Sequence, residues 1–272
     1  MKILLTGKPK SGKTTLLNKL LEGVTDKRGM AATEILEAGV RVGFDLQDNL
    51  GRTAILARTD HQTDTAVGRY YVDIPSLNDF IAPLFEYAPG QLLYIDEIGH
   101  MQLYSDEFQK LVRSYLSAPN DYLGTISCIY DHPFIDEVKD RTDILLCTIT
   151  SDNRDAVFAG LALALKNRTV LAGLPAAMQA KVLALARSYL QAESYISLKK
   201  LFGNAIVYVA KNRVKQISDK QFIVQGNHDE HRVDLLNGDY SCDCDFFNGR
   251  QQFAGKAGEC SHIQAVSIFV SH

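Results

Sequence analysis

The sequence predicts an α/β chain in three parts: a three-layer domain on a parallel sheet over 1–168, a helical connector over 169–200, and a small β-rich module over 201–272. Three observations predict it. As far as Lys166, short apolar runs alternate with amphipathic stretches, as strands joined by crossover helices do. Beyond Lys166 the chain turns alanine-rich, and from Ala205 it breaks into short alternating segments divided by polar turns. Cys242, Cys244, Cys260 and His262 then form two closely spaced pairs inside a segment with few apolar residues.

Taken in order, Lys2 to Thr6 reads as a strand, 13–22 as a helix, and the chain near Met30 as a second strand. Segments 40–47 and 52–58 read as a hairpin joined across Asp48-Asn49-Leu50-Gly51, and 76–86 as a helix. Leu92 to Ile95 is a continuous apolar run of the kind a buried parallel strand shows, and Ser105 to Ser117 has helical periodicity. Gly124 to Tyr130 and Ile144 to Thr148 read as buried strands around a short helix at 133–139, and Asn153 to Lys166 as a helix. Leu174-Pro175 opens a helical stretch to about Leu190, and another helical piece ends near Phe202-Gly203. Strands are expected at 205–210, 221–225 and 231–236.

Net charge is −3 with the signs interspersed, so no polybasic surface announces nucleic acid or membrane. The apolar start Ile3-Leu4-Leu5 is too short for a secretion signal, and no run approaches the ~18 residues of a membrane span. A cytoplasmic protein is expected. Cys128 and Cys147 lie in apolar strand-like runs and are expected to be buried and inert.

The most informative string is Gly7-Lys8-Pro9-Lys10-Ser11-Gly12-Lys13-Thr14, a G-x-x-x-x-G-K-[ST] loop between a strand and the helix that Thr15 continues. Gly7 and Gly12 let the backbone curl so that its N–H groups face the oxygens of a triphosphate. Lys13 can then reach the β and γ phosphates, and Thr14 can ligate Mg²⁺ at the positive end of the helix. Leu92-Leu93-Tyr94-Ile95-Asp96-Glu97 supplies the second signal, an apolar strand ending in two carboxylates. Asp96 there can hold the Mg²⁺ shell, and Glu97 can orient or deprotonate an attacking water.

Over about 1–166 the chain resembles the nucleoside triphosphatases of the type first seen in thermophiles. The resemblance runs through the loop, Thr33-Glu34, Arg41-Val42-Gly43-Phe44, Val67-Gly68-Arg69-Tyr70, Ile95 to Met101, His132-Pro133-Phe134 and Asn153-Arg154-Asp155. It implies a phosphate-loop fold and slow Mg²⁺-dependent hydrolysis of several nucleoside triphosphates. The chain departs from the pattern after Thr33-Glu34, with Ile35 and Glu37 where a second acid and a basic residue are usual. Arg154, Arg69 and Arg58 are candidates for stabilising charge on the transferring phosphate, with Arg154 preferred because it follows a strand end. His132 reads as a loop residue, and Asn153 as either a base contact or a helix cap.

Cys242, Cys244, Cys260 and His262 offer three thiolates and an imidazole, with fifteen residues between the pairs. That set closes a tetrahedral Zn²⁺ shell with no open position, so a structural site is expected. The segment from about 201 resembles the SWIM zinc finger, which implies short strands, C-x-C, a variable loop, C-x-H and a helix, and binding to DNA or protein. Acidic and basic residues nearly cancel over 201–272, which tilts the expected partner toward protein. His228, His231 and His272 fall outside the ligand set and are expected to be solvated. Two other functions stay open for the nucleotide site: a small-molecule or nucleotide kinase, and a nucleotide-switched binding protein with slow hydrolysis.

Overall fold

The computed structural model describes residues 1–248 and 259–271. They divide into two compact units, Met1–Asp152 and Asn153–His272. His272 itself lies outside the described residues.

The first unit is built on a sheet of nine strands among the described residues, in the order β5-β6-β4-β3-β2-β7-β8-β1-β9. The strands are β1 (Lys2–Thr6), β2 (Lys27–Glu37), β3 (Val40–Asp48), β4 (Thr53–Arg58), β5 (Thr65–Val67), β6 (Tyr70–Val72), β7 (Leu92–Ile98), β8 (Tyr122–Ile126) and β9 (Ile144–Thr148). The sheet is mixed, which corrects the expectation of a parallel one. β2, β7, β8, β1 and β9 pair in parallel, whereas β2 to β6 pair antiparallel. The physical reason is connection length: β2 and β3 are joined by the tight Ala38-Gly39 turn, which permits only antiparallel pairing.

Helix α1 (Lys13–Leu21) packs against β1 and β8, burying Leu16, Leu17, Leu20 and Leu21. Helices α2 (Ile74–Ile81), α3 (Asp106–Ser117) and α4 (Pro133–Lys139) share a core with Leu4, Met30, Leu93 and Ile95. Leu4 packs with those helices while its neighbours Ile3 and Leu5 are buried outside that core, so alternation along β1 makes the unit three-layered. Asp73 and Ser105 cap α2 and α3, accepting hydrogen bonds from the Ser76 and Phe108 amides.

The second unit begins with α5 (Arg154–Lys166), α6 (Arg168–Ala172), α7 (Ala176–Gln191) and α8 (Tyr195–Lys200). A Cβ on Gly160 would meet the Leu198 side chain at 2.8 Å, so this glycine is what lets α5 and α8 approach closely. Residues expected as a strand at 205–210 are helical instead: a π-helical turn, Leu201–Ala205, runs into α9 (Ile206–Ala210). Ile206, Tyr208 and Val209 are all buried, and a segment packed on several sides overrides the β preference of its branched residues. A four-stranded antiparallel sheet follows, β10 (Val214–Ser218), β11 (Gln221–Gln225), β12 (Glu230–Leu236) and β13 (Asp239–Cys242), then helix α10 (Ser261–Phe269).

Candidate functional site

The phosphate loop takes the conformation its glycines permit. Gly7 (φ +142°) and Gly12 (φ +94°) occupy backbone regions open to glycine, and a Cβ on Gly7 would lie 2.3 Å from the Ile149 carbonyl oxygen. The Ser11 amide closes a turn onto the Lys8 carbonyl at 3.1 Å. Lys13 is buried, and its Nζ donates to the Gly7 carbonyl oxygen at 3.1 Å, which holds the ammonium inside the loop. Thr14 and Thr15 are exposed at the first turn of α1. Lys8, Pro9 and Lys10 form the outer rim and, with Gly7 and Ser11, line a cavity of about 630 Å³. Cys128, Lys139, Thr148 and Ser151 are among the other residues of its wall, and its size suits a nucleoside.

Asp96 and Glu97 end β7 beside this loop. Asp96 is 2% exposed and its carboxylate accepts from the Thr125 hydroxyl. Burial raises the Asp96 carboxyl above its usual range, against the Thr125 hydrogen bond, the nearby Thr14 hydroxyl and the Lys13 charge, which pull it down. Glu97 is also raised, first by burial and then by the Asp96 charge, with Lys13 opposing. One oxygen of Asp96, Oδ2, is buried with no hydrogen-bond partner among the described residues. An orphaned carboxylate oxygen in reach of Thr14 fits a site for a hydrated divalent cation.

Thr125 was not foreseeable from motif spacing, because its approach to Asp96 depends on the register that sets Gly124 beside Ile95. Cys128 departs from expectation: it is exposed beyond the end of β8, whereas Cys147 is buried, its thiol pushed up to about 12. Two of the arginine candidates are occupied elsewhere. Arg58 donates to Asp60 and Glu37, and Arg69 to the Arg41 carbonyl and the Tyr70 hydroxyl. Arg154 opens α5 in the second unit, 3.8 Å from Asp155. His132 caps α4, its Nδ1 accepting from the Phe134 amide, and the Asn153 amide donates to the Tyr195 hydroxyl without capping α5.

In the second unit, Cys242, Cys244, Cys260 and His262 converge with their ligand atoms within 4.8 Å of one another. All are buried. Cys242 Sγ lies 3.7 Å from His262 Nδ1, close to the ~3.6 Å edge of a tetrahedron with zinc-like bond lengths. Cys242 ends β13 and Cys260 caps α10, so strand, loop and helix bring the pairs together. His231 is not solvated as expected: its ring stacks on His262 with centroids 4.1 Å apart, and the Tyr208 ring also stacks with His262, at 5.7 Å. His228 is exposed.

The NTPase family model matches residues 2–162, well over half of the chain. The chain belongs to this NTPase family. It is therefore a nucleoside-triphosphatase. It is 36% identical over 159 residues to the nucleoside-triphosphatase THEP1 of Thermotoga sp. (strain RQ2), spanning 58% of this chain and 91% of that protein. To the human cancer-related nucleoside-triphosphatase it is 33% identical over 171 residues, spanning 56% and 90%. The crystal structure of THEP1 from Aquifex aeolicus superimposes with a TM-score of 0.54 at 30% identity, covering 59% of this chain and 96% of that one. The family match ends inside α5, so it reaches ten residues past the boundary between the compact units, from Asn153 to Ala162. No helix among the described residues is long and apolar enough to cross a membrane.

Proposed function

We propose that the chain hydrolyses ATP, GTP and related nucleoside triphosphates to the diphosphate and phosphate with Mg²⁺, and that Lys13, Asp96 and Glu97 carry the reaction. The observation that supports this most is buried Asp96 with its orphaned oxygen near the end of β7, with half-buried Glu97 next to it and an ammonium fixed in the loop. Loop N–H groups from Gly7 to Thr15, all but that of Pro9, which has none, cradle the phosphates, and Lys13 follows the charge that develops on the β–γ bridge. Thr14 and Asp96 would hold Mg²⁺, which when bound neutralises phosphate oxygens as a Lewis acid. Glu97, its carboxyl raised by burial, orients the attacking water and accepts its proton. Arg154 is assigned to charge stabilisation on the transferring phosphate, on its place after β9 in the sequence.

The cysteine and histidine cluster is read as one structural zinc site. Three thiols crowded in a buried pocket hold Cys242 above the usual thiol range through their mutual hydrogen bonds and burial, and a divalent cation is what would let all three ionise. The order of strands, C-x-C, loop, C-x-H and helix supports a SWIM-type module that docks the enzyme to a partner, a protein in preference to DNA. Three reduced cysteines in such a site also suit the cytoplasm.

Turnover of each triphosphate by the full chain, with Mg²⁺ and with chelator, tests the reading. Lys13→Ala is expected to abolish hydrolysis, and Glu97→Gln to slow it by about 10²–10⁴-fold while triphosphate still binds. Unchanged turnover in Glu97→Gln would remove Glu97 from the mechanism.

A further inference from the structure

Charge is divided unevenly between the two faces of the β2–β3–β4 part of the sheet. Register sets Glu34 beside Phe44 and Phe44 beside Ala57, and Ile35 beside Gly43 and Gly43 beside Arg58. Ala57 in turn pairs with Val72, so strand alternation puts Glu34, Phe44 and Tyr70 on one face and Ile35 and Arg58 on the other. Arg58 is matched on its side by two carboxylates, Asp60 at 2.6 Å and Glu37 at 2.7 Å.

The opposite face is short of negative charge. Arg41 Nε and Arg69 Nη2 both donate to the Tyr70 hydroxyl, at 2.9 and 3.1 Å, and the one carboxylate bound there among the described residues is Glu34, on Arg41. Arg69 has no acid partner among the described residues; its other bond is to the Arg41 carbonyl. Ring faces fix both guanidiniums, Arg41 at 5.1 Å over Phe44 and Arg69 at 5.2 Å over Tyr70. The Tyr70 oxygen accepts twice, and its own proton has no acceptor among the described residues. Burial would weaken this phenol as an acid, but the bonds from Arg41 and then Arg69 outweigh it and hold it below its ordinary range. Two like charges gathered on one neutral oxygen, with exposed outer edges, form a rigid set of N–H and O–H donors carrying one uncompensated positive charge.

Its place in the sheet gives that set a role. β2 runs parallel to β7 with Ala31 beside Asp96, and Glu34 lies three residues further on, roughly 10 Å along the strand. The cluster therefore stands at the carboxyl end of the sheet, where Asp96 and Glu97 also sit. We propose that Arg41, Arg69 and Tyr70 form an oxyanion subsite that takes the phosphate group of a second small molecule beside the nucleotide. Two planar forks and a hydroxyl offer more donors than a carboxylate can use and match the three outer oxygens of a phosphate. The proposal rests on the nucleotide reading only for this location, since binding at the cluster needs no hydrolysis.

The test is calorimetry on the full chain. Its phosphate loop is first saturated with a non-hydrolysable triphosphate and Mg²⁺, a titration that checks the loop separately. Inorganic phosphate, a phosphomonoester and acetate are then titrated in turn. Wild type is expected to take up one phosphate saturably, with acetate weaker. Arg69→Ala should weaken uptake at least about tenfold, and Tyr70→Phe, which keeps the ring, should weaken it several-fold. Arg58→Ala should leave it unchanged. The tighter of the two phosphate sources identifies whether the group arrives free or attached to a larger molecule. No saturable uptake by wild type, equal uptake by Arg69→Ala, or acetate binding as tightly as phosphate would overturn the assignment.

Discussion

Replacing Gly7 by Ala tests whether the phosphate loop acts through its backbone shape. Two penalties can be read from the structure. Gly7 has φ +142°, where an L side chain is strained by about 1–3 kcal/mol. Its new Cβ would also sit 2.3 Å from the Ile149 carbonyl oxygen and 3.1 Å from Ser11 Oγ. Ile149 cannot give way cheaply, because its amide is bonded to the Thr6 carbonyl at 2.7 Å next to β1 and β9. The loop must therefore move by about an ångström to restore normal contact, and a displacement of that size at a phosphate site costs on the order of 10²-fold in kcat/KM. Gly51→Ala is the matched control, since Gly51 has φ +82° with nothing within 4 Å of its Cβ position. It should lower the melting temperature through strain alone and leave kcat/KM within about twofold. Steady-state turnover and thermal melts of both variants decide the matter. Gly7→Ala with wild-type kcat/KM would show that the loop tolerates displacement and that its amides do not set the phosphate position.

Three further outcomes follow from the two sites. A thiol reagent should modify exposed Cys128 at once and buried Cys147 only after unfolding, read by mass spectrometry; because Cys128 lines the cavity beside the loop, bound triphosphate should slow its modification. Cys244→Ser should abolish zinc uptake measured by metal analysis and melt the β10–β13 sheet, while triphosphate binding persists; a folded sheet at wild-type stability would refute a structural metal. Labelled duplex and single-stranded DNA titrated at low salt should bind weakly, and tight binding with a steep salt dependence would instead make nucleic acid the partner.

The loop and the Asp96-Glu97 pair were legible because each is contiguous in the chain, and the cysteine and histidine cluster because each of its two pairs is closely spaced. What depends on register or on packing was not. Nothing in Thr65 to Val72 announces two short antiparallel strands, since three-residue strands carry too little alternation to read. Cys128 looked buried because its apolar neighbours Ile126 and Ile129 suggest one long strand, yet β8 stops at Ile126 and leaves Ile129 and Tyr130 exposed. His231 looked idle because its partner, the His262 ring on which it stacks, lies 31 residues away in the chain. The Arg41, Arg69 and Tyr70 cluster joins β3 to the start of β6, two segments whose meeting is set by the β4 strand between them.

The boundary between the units shows the same limit in a different way. Periodicity places a helix over Asn153 to Lys166 and family length assigns it to the nucleotide domain, and both readings concern the helix alone. Its partner is decided by one residue type at one turn: Gly160 has no side chain, so Leu198 of α8 can seat against the α5 backbone, and Gly203 likewise leaves room for Leu163. These notches commit α5 to a helical layer that also contains α9, the element that supplies Tyr208 to the His262 stack. A continuous run of packed side chains therefore connects the helix at which the family match ends with the module that carries the cysteines. A substitution such as Gly160→Leu would act on that layer while altering no residue proposed here for metal or nucleotide.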